Sequence, residues 1–310
     1  LKCIVDPIDG TRGFMCDKRS AWVLTGLAPQ RGTRTTLADI VVAVMTELPV
    51  VKQAAFDQLS AVRGQGVAVV RCPGLDRTGK RIRLRPSRAR NFDHGFVSFS
   101  RFFPEGKTLL AEIEERFWRE LKVWGREGGA KVFEDQYVST GGQVYELIAG
   151  HDRLIADLRP LLPDMSGSGV RMTCCHPYDI CTALILEELG GVVEDPSGNP
   201  LRGPLDTTTP VAWVGYANRT PESIESTPKV VLEWPEGPLP TGKGREALLN
   251  AGEFCRLVGY QWQAGRSQTS CQFSSNSPGT RANSRVLPVT RVAPMRTAWA
   301  AISMSNPPIS

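Results

Sequence analysis

Two carboxylates three residues apart, Asp6 and Asp9, bracket Pro7 and lead straight into Gly10-Thr11. The strand-like Cys3-Ile4-Val5 comes just before them. At the end of such a strand Pro7 restricts the backbone, so Asp6 and Asp9 can converge on one hard cation. Carboxylates suit Mg²⁺, which takes few protein oxygens and keeps waters for a phosphate, and the backbone carbonyl of Ile8 can complete the set. Gly10-Thr11 can offer backbone N–H groups to an anion if a helix or turn starts there. The same spacing also serves as an Asx-turn with capping aspartates, so it leaves both readings open.

The elements that would hold these groups are legible as patterns. Trp22–Ala28 and Asp39–Met45 are rich in β-branched and apolar residues and read as strands. Arg63-Gly64-Gln65-Gly66-Val67 reads as a glycine-punctuated turn between two further strands, and residues 72 to 91 read as a basic loop. Apolar residues at 109, 110, 113, 117, 118, 121 and 124 recur at the spacing of one helical face. A second helix opens at Ser139-Thr140 and closes near Gly150. A third runs from Ile180 to Leu189, with Asp179 as an Asx-type cap in front and Gly190-Gly191 behind. Val192-Val193 and Val211–Tyr216 read as strands.

Composition limits the function classes. The formal net charge is +5, but Arg266, Arg281, Arg285, Arg291 and Arg296 fall in a stretch with no acidic residue. Elsewhere 32 cations meet 32 carboxylates, so the body is neutral and gives little reason to expect nucleic acid as a partner. No apolar run is long enough to span a bilayer, and a cytoplasmic setting is expected. The eight cysteines lack paired spacing, and Cys174-Cys175-His176 lacks the C-x-x-C geometry of a zinc site, so they read as reduced core thiols.

Asp6-Pro7-Ile8-Asp9-Gly10-Thr11 resembles the signature of the inositol monophosphatase superfamily. His176–Ala183 continuing through Glu187–Asp195 is similar to the family's second signature, in which an Asp heads a helix ending in Gly-Gly. Tyr178 stands where the family usually has Trp. Leu59–Val67 is similar to the family's hairpin, and Ser139–Leu158 to its Gly-Ser-rich helix and following strand. The resemblance spans roughly residues 1 to 218.

It implies an α+β fold, a layered αβαβα sandwich, with a first domain at 1–88 and a second at 89–218. Residues 219–265 are left as a poorly defined extension, and 266–310 are expected to be a disordered basic tail. The resemblance further implies that Asp6 bridges two Mg²⁺ ions, that Ile8 gives its carbonyl, and that Asp9 and Asp179 close the second metal site. Gly10 and Thr11 would hold the phosphate, with Asp179 beside the substrate, and Thr11 would orient the attacking water. The implied activity is hydrolysis of a small phosphorylated metabolite by metal-activated water, commonly in a homodimer. Arg171, Met172, His176 and Tyr178 occupy the neighbourhood that contacts the alcohol portion.

The family's further metal-ligand Glu lies upstream of the first signature, whereas this chain starts five residues before Asp6. The polypeptide as given is therefore expected to have its Mg²⁺ site impaired and to show little activity. The alternative is a non-catalytic relative that binds metal or anion only.

Overall fold

The computed structural model describes residues 1–74, 78–121, 132–162 and 173–218, all of which fall in one unit, Leu1–Leu239. Arg171, Met172, the extension 219–265 and the tail 266–310 lie outside the described residues.

The first 82 residues form one antiparallel sheet in sequential order. Its strands are β1 (Lys2–Asp9), β2 (Ala21–Ala28), β3 (Val42–Leu48), β4 (Phe56–Val62), β5 (Gly66–Cys72) and β6 (Lys80–Ile82). Alternation builds its inner face. Trp22 and Leu24 in β2, Ala43 and Met45 in β3, and Leu59 and Ala61 in β4 are all buried. Burying one such leucine contributes roughly 1.5–3 kcal/mol. The β4–β5 turn needs positive φ at Gly64 and Gly66, 75° and 79°, which glycine adopts without steric cost. Both of their N–H groups donate to the Glu188 carboxylate, at 2.8 and 2.9 Å.

A second sheet has the order β7 (Phe96–Phe99), β8 (Asp152–Asp157), β10 (Trp213–Tyr216), β9 (Val192–Glu194). Strands β7 and β8 are parallel and the other pairs antiparallel. Its two faces separate the cores by strand period. Leu154, Ala156, Val214 and Tyr216 pack with Leu110, Ile113 and Phe117 of α2 (Lys107–Glu120). Ile155, Val193 and Trp213 face the other way, into the core shared with the first sheet. That core also holds Val144, Leu147 and Ile148 of α3 (Thr140–Ala149), Ile180 of α4 (Pro177–Ile180), and Leu184–Leu186 of α5 (Ala183–Glu188). The layers therefore run sheet, α3–α5, sheet, α2, an α+β sandwich of the expected type.

Several elements differ from their sequence reading. Asp39 is not in a strand; it ends a 3₁₀ turn, Leu37–Asp39, and its carboxylate closes a capping box with Thr36. The basic stretch after residue 72 contains the edge strand β6, because Ile82 and Leu84 find apolar neighbours in the core. The expected 180–189 helix is two helices broken at Cys181-Thr182. The first sheet presses close at the break: a Cβ on Gly26 would lie 3.1 Å from Cys181 Cβ. Cys3 and Cys16 are exposed rather than core thiols, whereas Cys174, Cys175 and Cys181 are buried. No helix among the described residues is long and apolar enough to cross a membrane.

Candidate metal centre

In a regular strand, residues three apart point to opposite faces. Asp6 and Asp9 escape this rule through a bulge. Asp6 pairs with Leu24 and Asp9 with Trp22, so one extra residue is accommodated on β1 between them. Pro7, which has no N–H to give a ladder, sits in that irregular stretch. Both carboxylates end up buried at 8 % exposure. Asp179 reaches the same point from 170 positions further along, and one oxygen from each of Asp6, Asp9 and Asp179 lies within 4.8 Å of the others.

Each carboxylate is anchored by one oxygen. Asp6 Oδ1 accepts from the Ile8 N–H at 3.0 Å. Asp9 Oδ2 accepts from Gly141 N–H at 2.6 Å and from the Ser139 hydroxyl at 2.8 Å, at the start of α3. Asp179 Oδ2 accepts from His176 N–H at 2.6 Å. This last bond corrects the capping assignment. Asp179 is the third residue of α4, behind Pro177, and reaches back to the N-cap His176 rather than capping a helix in front of itself.

Desolvation is the main force on the three carboxyl groups; carboxylate neighbours push Asp9 and Asp179 further up, whereas hydrogen bonds from Ile8 N–H and the Asp179 carboxyl pull Asp6 down. Asp9 is pushed up to about 7, chiefly by burial and further by Asp6, against the pull of Gly141 and Ser139. Asp179 is raised to about 8 by burial and then by the charges of Asp9 and Asp6. Asp6 is raised too, by burial first. Three converging hard oxygens that resist carrying negative charge together fit a small divalent cation, whose charge removes the penalty.

Around them, Gly10 turns the chain at φ 89° and is crowded against α3: a Cβ there would lie 2.9 Å from Ser139 Cβ. Any other residue would therefore be both strained and blocked. Thr11 opens the short helix α1 (Thr11–Met15), and its hydroxyl donates to the Ile8 carbonyl at 2.7 Å. Ile8 keeps an exposed side chain, while its carbonyl already accepts one hydrogen bond and has a second lone pair to offer. Beside Asp179, the His176 and Tyr178 rings stack with centroids 5.4 Å apart.

The structure thus brings Asp6, Asp9 and Asp179 together, with Ile8, Gly10 and Thr11 on the stretch of chain beside Asp9. Ser139 and Gly141 were not among the site residues read from sequence, although Ser139-Thr140 reads there as the opening of a helix, and Ser139 proves to be its N-cap. Its hydroxyl indeed accepts from Gly142 N–H at 2.9 Å, but a bond to a carboxylate 130 residues away has no local signal.

No protein-family model matches the sequence. No curated protein matches it either. Among solved structures, the chain is similar to Leishmania major fructose-1,6-bisphosphatase in its T-state, with TM-score 0.51 and 12% identity, over 76% of this chain and 70% of that one. It is also similar to the extragenic suppressor protein suhB of Bartonella henselae, at TM-score 0.47 and 17% identity over 75% and 70% of the two chains. A third is the inositol monophosphatase of Anabaena (Nostoc), at TM-score 0.46 and 13% identity over 75% and 74%. At such identities likeness speaks for fold alone, and the fold this chain carries is the layered α+β sandwich of the fructose-1,6-bisphosphatase structure.

Proposed function

We propose that this chain is a metal-dependent phosphomonoesterase of the inositol monophosphatase superfamily, acting on a small phosphorylated metabolite. One observation carries the reading: the bulge in β1 and the turn into α4 bring Asp6, Asp9 and Asp179 within 4.8 Å, and among the described residues no Lys or Arg pairs with them, the His176 imidazole standing with Nδ1 3.7 Å from Asp179.

In this reading Asp6, Asp9, Asp179 and the Ile8 carbonyl hold Mg²⁺. When bound, Mg²⁺ supplies a more acidic water and offsets charge on the phosphoryl oxygens. The protein's own groups do the rest. Ser139 and Gly141 fix Asp9 so that one oxygen stays turned to the centre. Thr11 has committed its proton to the Ile8 carbonyl, so its remaining lone pairs can accept from a water and orient it toward phosphorus. Gly10 and Thr11 would offer their backbone N–H groups to the phosphate. Asp179, with His176 and Tyr178 beside it, would face the alcohol portion.

The test is phosphate release by the purified chain with Mg²⁺, across inositol phosphates, sugar phosphates and nucleotide 3′-phosphates. Turnover that Asp6→Asn abolishes without unfolding supports the proposal. Turnover that survives both Asp6→Asn and chelation of divalent ions would refute it.

A further inference from the structure

Many arginines of the described residues are tied to a partner. Arg31, Arg63, Arg71, Arg101 and Arg159 each meet a carboxylate, and Arg153 donates to two backbone carbonyls. The segment from Lys80 to Arg90 behaves differently. Its six cations, Lys80, Arg81, Arg83, Arg85, Arg88 and Arg90, are all exposed, and no acidic residue interrupts them. Among the described residues, no ion pair or side-chain hydrogen bond engages any of the six.

The backbone beneath them is fixed. Strand β6 pairs with β5 through Val69↔Ile82, Val70↔Arg81 and Arg71↔Lys80. Ile82 and Leu84 turn inward against the core. Further along, a Cβ on Gly150 would lie 2.6 Å from the Arg85 carbonyl oxygen, and Asn218 donates to the Ser87 and Ala89 carbonyls at 2.7 and 3.0 Å. Burial alternates with a period of two, so Arg81, Arg83 and Arg85 project outward from one side, repeating about every 6.6 Å along extended chain. β6 ends the sheet order, and no described strand pairs with its outer edge.

We propose that this edge docks an extended acidic peptide segment of a partner protein, with Asp or Glu at alternate positions, laid alongside β6. An extended peptide repeats its side chains at the same spacing, so carboxylates at every second position meet Arg81, Arg83 and Arg85 in register. The open edge supplies backbone N–H and C=O groups for strand addition. Cations on an edge strand deter pairing with neutral or basic strands, which makes an acidic strand the matching partner. Single-stranded nucleic acid fits less well, since residues 78–90 hold no aromatic side chain on which bases stack. An anionic bilayer reads charge without register.

The test uses the full chain and a fluorescent peptide of alternating Glu and Thr, followed by anisotropy at low salt. Saturable binding is expected, weakened about tenfold at 0.15 M salt. Binding should be lost when Arg81, Arg83 and Arg85 are all changed to Glu, and reduced in the milder Arg→Gln triple variant, both with unchanged urea midpoints. A peptide with Pro in place of Thr keeps the charge and loses the N–H groups, and it should bind several-fold more weakly. The proposal is overturned if the peptide does not bind, or if the Pro peptide binds equally well. Tighter binding of an oligo-dT strand or of phosphatidylserine vesicles would overturn it as well.

Discussion

Aspartate is buried at several places in this molecule, and two of them solve the problem in opposite ways. Asp57 on β4 is 1 % exposed, and Arg71 on β5 grips it with both arms of its guanidinium, at 2.7 and 2.8 Å. Tyr145 of α3 adds a hydroxyl at 2.7 Å. The chain itself supplies the positive charge, so hydrogen bonding to Asp57 raises the Arg71 pKa, and burial followed by Asp57 raises that of Tyr145. At Asp6, Asp9 and Asp179 the donors are backbone N–H groups and one serine hydroxyl, all neutral. Among the described residues no Lys or Arg pairs with any of the three. The first arrangement is complete as folded. The second leaves its charge to be relieved by protons, as the raised pKa values of Asp9 and Asp179 express, or by a bound cation.

The comparison breaks most visibly at Asp57. Asp57→Ala strands Arg71 and Tyr145 and should cost about 3 kcal/mol, toward the low end for a broken buried pair because Arg71 is half exposed. Urea unfolding would show this, while metal affinity of the folded protein should hold. Asp9→Asn should do the reverse. It removes like-charge repulsion, so the metal-free protein keeps its urea midpoint or gains slightly, while Mg²⁺ affinity falls about 100-fold in calorimetry. A large loss of metal-free stability in this variant would show that Asp9 is a structural group after all.

Another buried carboxylate sharpens the contrast. Asp152, 6 % exposed, is pushed up to about 7 by burial and then by Glu146 and Asp135. A raised acid pKa means that the folded state holds the proton more tightly than the unfolded chain does. Stability should therefore decline as pH rises from about 4 toward 7 and level off above. His151, next to it, is raised by its hydrogen bond to Glu146, and it acts in the same direction, losing its contribution as pH rises through its folded pKa. Asp9 and Asp179, raised in the same sense, add to the decline of the metal-free protein, so Asp152→Asn should remove only its own share, about 2 kcal/mol between pH 5 and 8. The smallest effect is expected at Ser139. Ser139→Ala removes the α3 cap at about 1 kcal/mol of stability and loosens Asp9, weakening metal affinity about tenfold. A variant that lost only the stability would mean that Gly141 alone positions Asp9.

Legibility in the sequence follows how local each feature is. The capped helix α3 could be read from Ser139 and Gly150, because both act on their own helix ends. The pair Asp6 and Asp9 could be read as a hard-cation motif, yet the bulge that makes it workable depends on pairing with β2 and has no signature in β1 alone. The break between α4 and α5 was hidden for a similar reason, since it lies where Gly26 of another element presses on Cys181. Strand β7 is four residues long and mostly buried, so it offers no alternation to detect. The convergence of Asp179 with β1 could be inferred only from likeness to a family, because residues 170 apart share no local pattern.

The most direct test is titration of the purified wild-type chain with Mg²⁺ by calorimetry, beside Asp6→Asn, Asp9→Asn and Asp179→Asn. Saturable binding to the wild type, weakened by each of the three substitutions and unaffected by Asp57→Asn, is the predicted result. If the wild type binds no divalent ion, or if the three centre variants bind as the wild type does, the three carboxylates are not a metal centre.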